Sequence, residues 1–260
     1  MVIIDGEPRE SLPVDDLALA AGYAVFETMR TYGRQAFRVD EHLDRLEDSA
    51  RFCRVLIPDR SALRAEIGRA IDAIPTESRV NVTLTGSGRR IVRSRVLDTT
   101  WVGREMRVVT RAWTPPPWLP GWVKHTSRLP WWLAAGEADE ALWVAPEGVW
   151  TECTQSNVFV VRDGVLWTPP DDGRILRGVT RTAMIAAAGH VGIEVRAAPV
   201  HVGPTDEFWL ASTLKELAPV VEIDGIRASG GGPVGEAVRA EFRRAAADWR
   251  AEANSRGSSA

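Results

Sequence analysis

Lysine is almost missing from this sequence. Of 32 basic residues only two, Lys124 and Lys215, are lysines, and the rest are arginine. Cysteine is equally scarce. Cys53 and Cys153 stand far apart, the four histidines are scattered, and no ligand spacing for a metal emerges, so no metal site is expected. Two isolated thiols fit a reducing, cytoplasmic compartment. No apolar run approaches the ~18 residues of a membrane span, and no basic-then-apolar leader opens the chain. A net charge of −3 gives no reason to expect nucleic acid or an anionic membrane as partner. What is present is ordinary for a soluble globular protein: 260 residues, 45% hydrophobic and 26% charged, long enough for one large domain or two small ones.

The shortage of lysine matters because arginine cannot do all of its work. A guanidinium keeps its proton, with a pKa above ~12, and does not attack a carbonyl. A primary amine can, once burial or nearby cations depress its pKa. Lys124, among tryptophans, is therefore a candidate Schiff-base nucleophile, unless codon bias alone left two lysines behind.

Taken in order, residues 2–4 read as a short strand and 25–32 as a longer one, turned back by Gly33-Arg34 into 36–38. Alternation places Phe26, Thr28 and Arg30 on one face and Glu27 and Met29 on the other. The first face suits either a cavity wall or solvent. Asp40 is expected to cap a helix whose apolar stripe is Leu43, Leu46, Ala50 and Cys53. Arg45 lies near the start of that helix, where the dipole disfavours a cation, and Glu41 or Asp48 is its expected partner. A helix over 61–74 and a strand over 79–85 follow. The strand runs into Gly86-Ser-Gly-Arg-Arg90, a basic loop that suits a substrate carboxylate or is simply a hairpin tip. After a strand over 104–112, residues 113–121 hold four prolines and read as a linker.

Beyond Lys124 a short helix over 129–136 precedes strands over 138–144, 150–153, 157–161 and 165–168. Glu152 is a candidate buried carboxylate or an edge charge. A helix over 182–190, opened by Leu176-Arg-Gly-Val-Thr-Arg181, offers backbone N–H groups to an anion. A strand over 207–211 exits in Ser212-Thr213, a strand over 217–223 follows, and the closing helix spans 234–249. The expected fold is α+β in two domains: residues 1–112 as a small N-terminal α/β domain, 113–121 as linker, 122–250 as a larger strand-rich domain, and 251–260 as a disordered tail.

The residues then meet a known pattern. Val25-Phe-Glu-Thr-Met-Arg30, Glu41-His-Leu-Asp-Arg-Leu46, Lys124, Ala138-Asp-Glu-Ala-Leu142, Thr151-Glu152, Ser156-Asn-Val-Phe159, Gly178-Val-Thr-Arg181 and Ser212-Thr213 occur in the order found in fold-type IV pyridoxal-phosphate enzymes, which the chain resembles over nearly its whole length. These include the D-amino-acid and branched-chain aminotransferases and aminodeoxychorismate lyase. The resemblance implies pyridoxal 5′-phosphate held as an aldimine by Lys124, with Glu152 at the pyridine nitrogen. It assigns the phosphate to Arg45, the N–H groups of Val179 and Thr180, and Ser212-Thr213. It also implies a homodimer.

The chain departs from the family at Gly22-Tyr23-Ala24, Leu17-Ala18, Cys153 and Leu214-Lys-Glu-Leu217, which bears on the substrate pocket more than on the cofactor. Substrate contacts are expected from Phe26, Thr28, Arg30, Arg89 and Arg90. Lys215 reads either as a further carboxylate contact or as the partner of Glu216 or Glu222. The favoured activity is transamination between a small amino acid, of D configuration, and a 2-oxo acid. Aminodeoxychorismate lyase is the alternative, supported by Lys124-His125 with Arg128-Leu129 and by Thr151-Glu152-Cys153. A catalytically silent binding protein is a third reading, which the retained Lys124, Glu152 and Arg45 oppose.

Overall fold

A computed structural model describes residues 1–201 and 206–257. The described residues divide into two compact units: 1–99, 123–128 and 246–257 form the first, and 100–122, 129–201 and 206–245 the second. No helix among the described residues is long and apolar enough to cross a membrane.

The first unit is a six-stranded sheet built from β1 (Val2–Ile4), β2 (Glu7–Pro8), β3 (Ala24–Tyr32), β4 (Gln35–Ala36), β5 (Ser78–Thr85) and β6 (Arg90–Val96), in the order β2-β1-β6-β5-β3-β4. Period-two alternation sends Val25, Glu27 and Met29 of β3 to the inner face with Val80, Val82 and Leu84 of β5. Against this face pack α2 (Val39–Phe52) and α3 (Arg60–Asp72), through Leu43, Leu46, Ala50, Leu63, Ile67 and Ala70. A one-turn helix, α1 (Leu17–Ala20), is capped by the Asp16 carboxylate.

One expectation is corrected here, one strand is added and one helix is lengthened. Asp40 does not cap α2: Arg38, in the left-handed conformation at φ 50°, precedes the helix, and the Asp40 carboxylate is engaged by Arg60 and Arg64 of α3. Residues 90–96, unassigned from sequence apart from their start in the basic loop, form β6. The last helix, expected over 234–249, runs on to Gly257, and within it Ala246 is buried and the Trp249 ring meets Phe37 edge-on at 5.2 Å. Residues 258–260 lie outside those described.

The second unit contains β7 (Met106–Ala112), α4 (Leu129–Ala135), β8 (Glu140–Val144), β9 (Val149–Cys153), β10 (Asn157–Arg162), β11 (Val165–Thr168), α5 (Val179–His190), β12 (Val195–Ala197), β13 (Val200–His201), β14 (Glu207–Ser212), β15 (Glu216–Ile223) and β16 (Ile226–Arg227), and it takes the start of α6 (Pro233–Gly257). The path β10-β14-β15-β7-β8-β9 closes on itself where Asn157 of β10 pairs with Glu152 of β9. Closure makes a barrel-like sheet, and it removes the edges an open sheet would leave. Met106, Val108, Leu142, Val158, Val160, Phe208, Leu210 and Val220 fill its core, with Trp150 stacked on Phe208 at 5.0 Å.

The proline-rich stretch is no free linker. Trp113 packs on Trp143 at 5.0 Å and on Trp131 at 5.7 Å, and the Gly121 N–H donates to the Gly173 carbonyl. It belongs with the second unit, whereas Val123–Arg128 belongs with the first.

Candidate active site

In the first unit the segment around Lys124 is stitched to the start of β3. Val25 and His125 form an antiparallel bridge, the Phe26 N–H donates to the Lys124 carbonyl at 3.0 Å, and the Thr126 N–H donates to Ala24 at 2.9 Å. From α2, the Ser49 hydroxyl accepts the Lys124 N–H at 3.1 Å. The backbone of the lysine is thus fixed, and its ammonium lies 4.8 Å from the centroid of the Phe26 ring. Burial, followed by the charges of Arg128 and Lys124, lowers the His125 pKa to about 4. That imidazole is neutral at pH 7 and adds no further cation beside the amine.

Arg45 is held from β3 and not from its own helix. Its Nε donates to Glu27 Oε1 at 2.6 Å and its Nη2 to Glu27 Oε2 at 2.8 Å. His42 Nδ1 donates to the same carboxylate at 2.8 Å. All three side chains are buried. Burial raises the Glu27 pKa, but Arg45 and His42 outweigh it and hold the carboxylate well below its ordinary range. Burial also lowers the His42 pKa, with the Arg45 and Lys124 charges adding to it, so His42 is neutral. The expected partners Glu41 and Asp48 instead take Arg38 and Arg51. The reading from sequence missed Glu27, and one signal was available: a carboxylate on the inward face of a strand opposite a helix with a cation.

The arginines expected to meet the substrate carboxylate have carboxylates of their own. Arg30 pairs with Glu77 at 3.0 Å and lies over Tyr32; Arg89 pairs with Asp5 at 2.9 Å; Arg90 pairs with Glu66 at 2.6 Å. Gly86–Arg90 is a hairpin turn fastened to residue 5, with the Asp5 N–H on the Arg90 carbonyl and the Arg90 N–H on the Asp5 carboxylate. Thr28 accepts a hydrogen bond from Asn81 Nδ2 at 2.8 Å.

In the second unit Glu152 sits at the barrel closure. Its Oε2 accepts the Leu176 N–H at 2.9 Å and the Asn157 amide at 3.3 Å, while the same amide donates to the Leu176 carbonyl. Two residues on, Gly178 is the N-cap of α5. A Cβ there would fall 1.9 Å from Asn157 Oδ1, so only glycine fits. With no side chain to cap it, the first turn of α5 leaves the N–H groups of Val179 and Thr180 as donors of the kind that can cradle an anion. Arg181 ties the helix down by donating to Thr168 Oγ1 and the Pro169 carbonyl.

Ser212 ends β14, and the turn through Thr213 is closed by the Lys215 N–H on the Ser212 carbonyl. Lys215 pairs with neither expected partner. Its ammonium lies 2.9 Å from Glu140 in a buried pair, and Glu140 also accepts from the Gln155 N–H and the Ser156 hydroxyl. Glu216 takes Arg243 instead.

A basic amine, a carboxylate poised by two donors and an uncapped helix start are the groups a phosphorylated, carbonyl-bearing pyridine requires, and the residues present fit it.

Comparison with known proteins agrees. The family model "Amino-transferase class IV" matches residues 24–223. The chain is 30% identical to D-alanine aminotransferase of Listeria monocytogenes serotype 4b, over 87% of this chain and 88% of that one. It is 27% identical to a branched-chain-amino-acid aminotransferase of Pseudomonas aeruginosa, over 88% of each. Among solved structures, the PLP-bound form of a hypothetical aminotransferase from Mycobacterium tuberculosis superimposes with a TM-score of 0.84 at 26% identity, covering 94% of this chain and 97% of that one.

Proposed function

From its membership of the class IV aminotransferase family, a family of pyridoxal-phosphate enzymes, we propose that this chain transfers an amino group between a small D-amino acid and a 2-oxo acid in two successive half-reactions, working as a homodimer. The observation that carries the reading is the division of labour between the two lysines. Lys215 is committed to Glu140 inside the second unit. Lys124 is the primary amine whose backbone is fixed on three sides and whose head meets an aromatic ring.

Bound pyridoxal phosphate supplies an electron sink for the charge that develops at the substrate Cα. Lys124 Nζ would hold the cofactor and, once free of it, would carry the proton at the substrate Cα. Glu152, oriented by its two donors, would face the pyridine nitrogen and accept its proton in a hydrogen bond. The phosphate is assigned to the N–H groups of Val179 and Thr180, to Ser212 and Thr213, and to Arg45, whose orientation Glu27 fixes. Phe26 and Thr28 line the substrate side. The D preference rests on the Listeria relative, and the branched-chain relatives make L-leucine its sharpest competitor.

The test is an absorbance titration of the loaded protein with D-alanine, D-glutamate or L-leucine, without any oxo acid. D-alanine should replace the cofactor's absorbance with that of pyridoxamine phosphate. A response to L-leucine alone overturns the handedness. No response to any of the three, with pyruvate released from aminodeoxychorismate, makes the protein a lyase. Lys124→Ala should remove the absorbance band of the covalently bound cofactor altogether.

A further inference from the structure

Lys215 is a buried primary amine that the activity proposed above does not use. A chain that takes arginine for all but two of its 32 basic residues has kept a lysine here. Its ammonium lies 2.9 Å from Glu140 Oε1, and both side chains are out of solvent. A compact point charge suits a carboxylate whose other approaches are taken, whereas the planar fork of a guanidinium needs two free sites side by side.

Glu140 does not need that ammonium to be satisfied. Its Oε2 accepts the Gln155 N–H at 2.6 Å and its Oε1 the Ser156 hydroxyl at 2.5 Å, with the Thr154 hydroxyl at 3.4 Å. All three donors belong to the turn between β9 and β10. That turn joins Glu152 to Asn157, which pair across it, and the Asn157 amide donates to Glu152. Lys215 belongs to a different turn, the one between β14 and β15 that opens at Ser212 and Thr213. The Glu140 carboxylate is therefore the point where two turns of the barrel meet. One is flanked by the carboxylate assigned to the pyridine nitrogen, and the other carries the two hydroxyls assigned to the phosphate.

The β14–β15 turn does not hold its shape by itself. Glu216 has φ 57°, a left-handed conformation that is costly for a residue with a side chain and persists only where the surroundings fix it. Three tethers do so: the Lys215–Glu140 pair, the Gly103 N–H on the Lys215 carbonyl at 3.0 Å, and Arg243 on the Glu216 carboxylate at 2.7 Å. Of these, the first is the one that reaches the β9–β10 turn. Stability alone does not account for it, because apolar side chains of similar volume often replace a buried ion pair without loss. What a charge pair adds is a defined geometry.

We propose that Lys215 is a positioning residue: through Glu140 it sets the spacing between the turn at Glu152 and Asn157 and the turn at Ser212 and Thr213, and so the fit of a cofactor that must reach both. The inference rests on the cofactor assignments made above and is independent of which amino acid is used.

The test uses the full chain freed of cofactor and pyridoxine 5′-phosphate, which has the ring and the phosphate but no aldehyde to react with Lys124. Calorimetry compares it with inorganic phosphate, which has one end only. Lys215→Met should weaken pyridoxine 5′-phosphate by about tenfold or more, the usual loss when a group behind a ligand is removed, and leave inorganic phosphate within about twofold. Lys215→Met strands the Glu140 charge, so Lys215→Met/Glu140→Gln, which removes both charges and keeps an acceptor for the Gln155 N–H, is measured beside it and should show the same split. Thermal unfolding without ligand establishes that each variant is folded. Unchanged affinity for pyridoxine 5′-phosphate in the folded variants makes Lys215 a residue of the fold alone and overturns the proposal. An equal loss for both ligands overturns the spacing role, leaving a lysine that supports only the phosphate turn. If the wild type binds pyridoxine 5′-phosphate no better than inorganic phosphate, the cofactor assignments themselves fail, and the inference with them.

Discussion

The six-stranded sheet carries arginine on both faces and treats it in opposite ways. On the face under α2 and α3, Arg45 is clamped at two points by Glu27, and Arg90 is paired with the buried Glu66. On the other face Arg79 and Arg95 stand opposite one another, with Arg93 in the next row opposite Asn81, and none of the three has a carboxylate partner among the described residues. Burial explains the difference only in part. A cation under the helices has no water to turn to, so an unmatched one would be expelled or would drag down the fold. A cation on the outer face can stay unmatched at modest cost. The inner arginine is presented by its partner, while the outer ones have nothing on the protein to present them to.

The largest way to break this contrast is to strip the inner face of its cation. Arg45→Met leaves the Glu27 carboxylate buried with only neutral His42 for company. Removing one partner of a buried pair costs about 3–5 kcal/mol, a fall in Tm of roughly 6–20 °C by the usual scaling for a chain of this size. Thermal unfolding measures it. Adding Glu27→Gln should recover part of the loss, because the stranded charge is then gone. A loss below ~1 kcal/mol would mean the pair is not the inner anchor argued above. Weaker retention of pyridoxal phosphate should accompany the stability loss.

Acid makes a second, smaller break. The Glu27 pKa is depressed in the folded protein, so its contribution is present above the ordinary value of 4.5 and is lost as pH falls below it. The His42 pKa is depressed from 6.5, so the folded state takes up that proton less readily than the unfolded chain, and stability declines as pH falls through and below 6.5. Both act in the same direction in successive windows. His42→Asn, which keeps a donor towards Glu27 and removes the titration, should flatten the stability profile between about pH 7 and 5. An unchanged slope in a denaturant series across that range would remove His42 from the account.

Much of this was legible in the sequence because it rests on short-range signals. Lys124 stood out through scarcity, the strands through alternation, and Gly178 through its place before a helix. What was not legible depends on partners distant along the chain. Arg45 was given helical neighbours, since spacing of three or four is what a sequence displays, whereas its true partner lies 18 positions back on β3. Lys215 was offered Glu216 and Glu222 on the same grounds, and found Glu140 across the barrel. The closing helix was read to end at Trp249, and nothing local announces that this ring meets Phe37. Arg30, Arg89 and Arg90 were read as substrate contacts from their strand and loop positions, and their carboxylate partners lie at distances along the chain that the sequence does not display. Arg79, Arg93 and Arg95, which sequence reasoning passed over, have no carboxylate partner among the described residues.

The smallest effect sharpens the contrast most, because its sign is opposite. Arg79 and Arg95 face each other across β5 and β6 with like charge, and cross-strand pairs are worth about 0.2–1 kcal/mol in either direction. Arg79→Gln/Arg95→Gln should therefore stabilise the protein, raising Tm by roughly 0.4–4 °C, where Arg45→Met on the inner face lowers it severalfold more. A protein that gains stability when a surface loses its charge has kept that charge for something other than folding. If the double variant is instead less stable than the wild type, the two arginines are held by the fold after all, and the outer face differs from the inner one only in exposure.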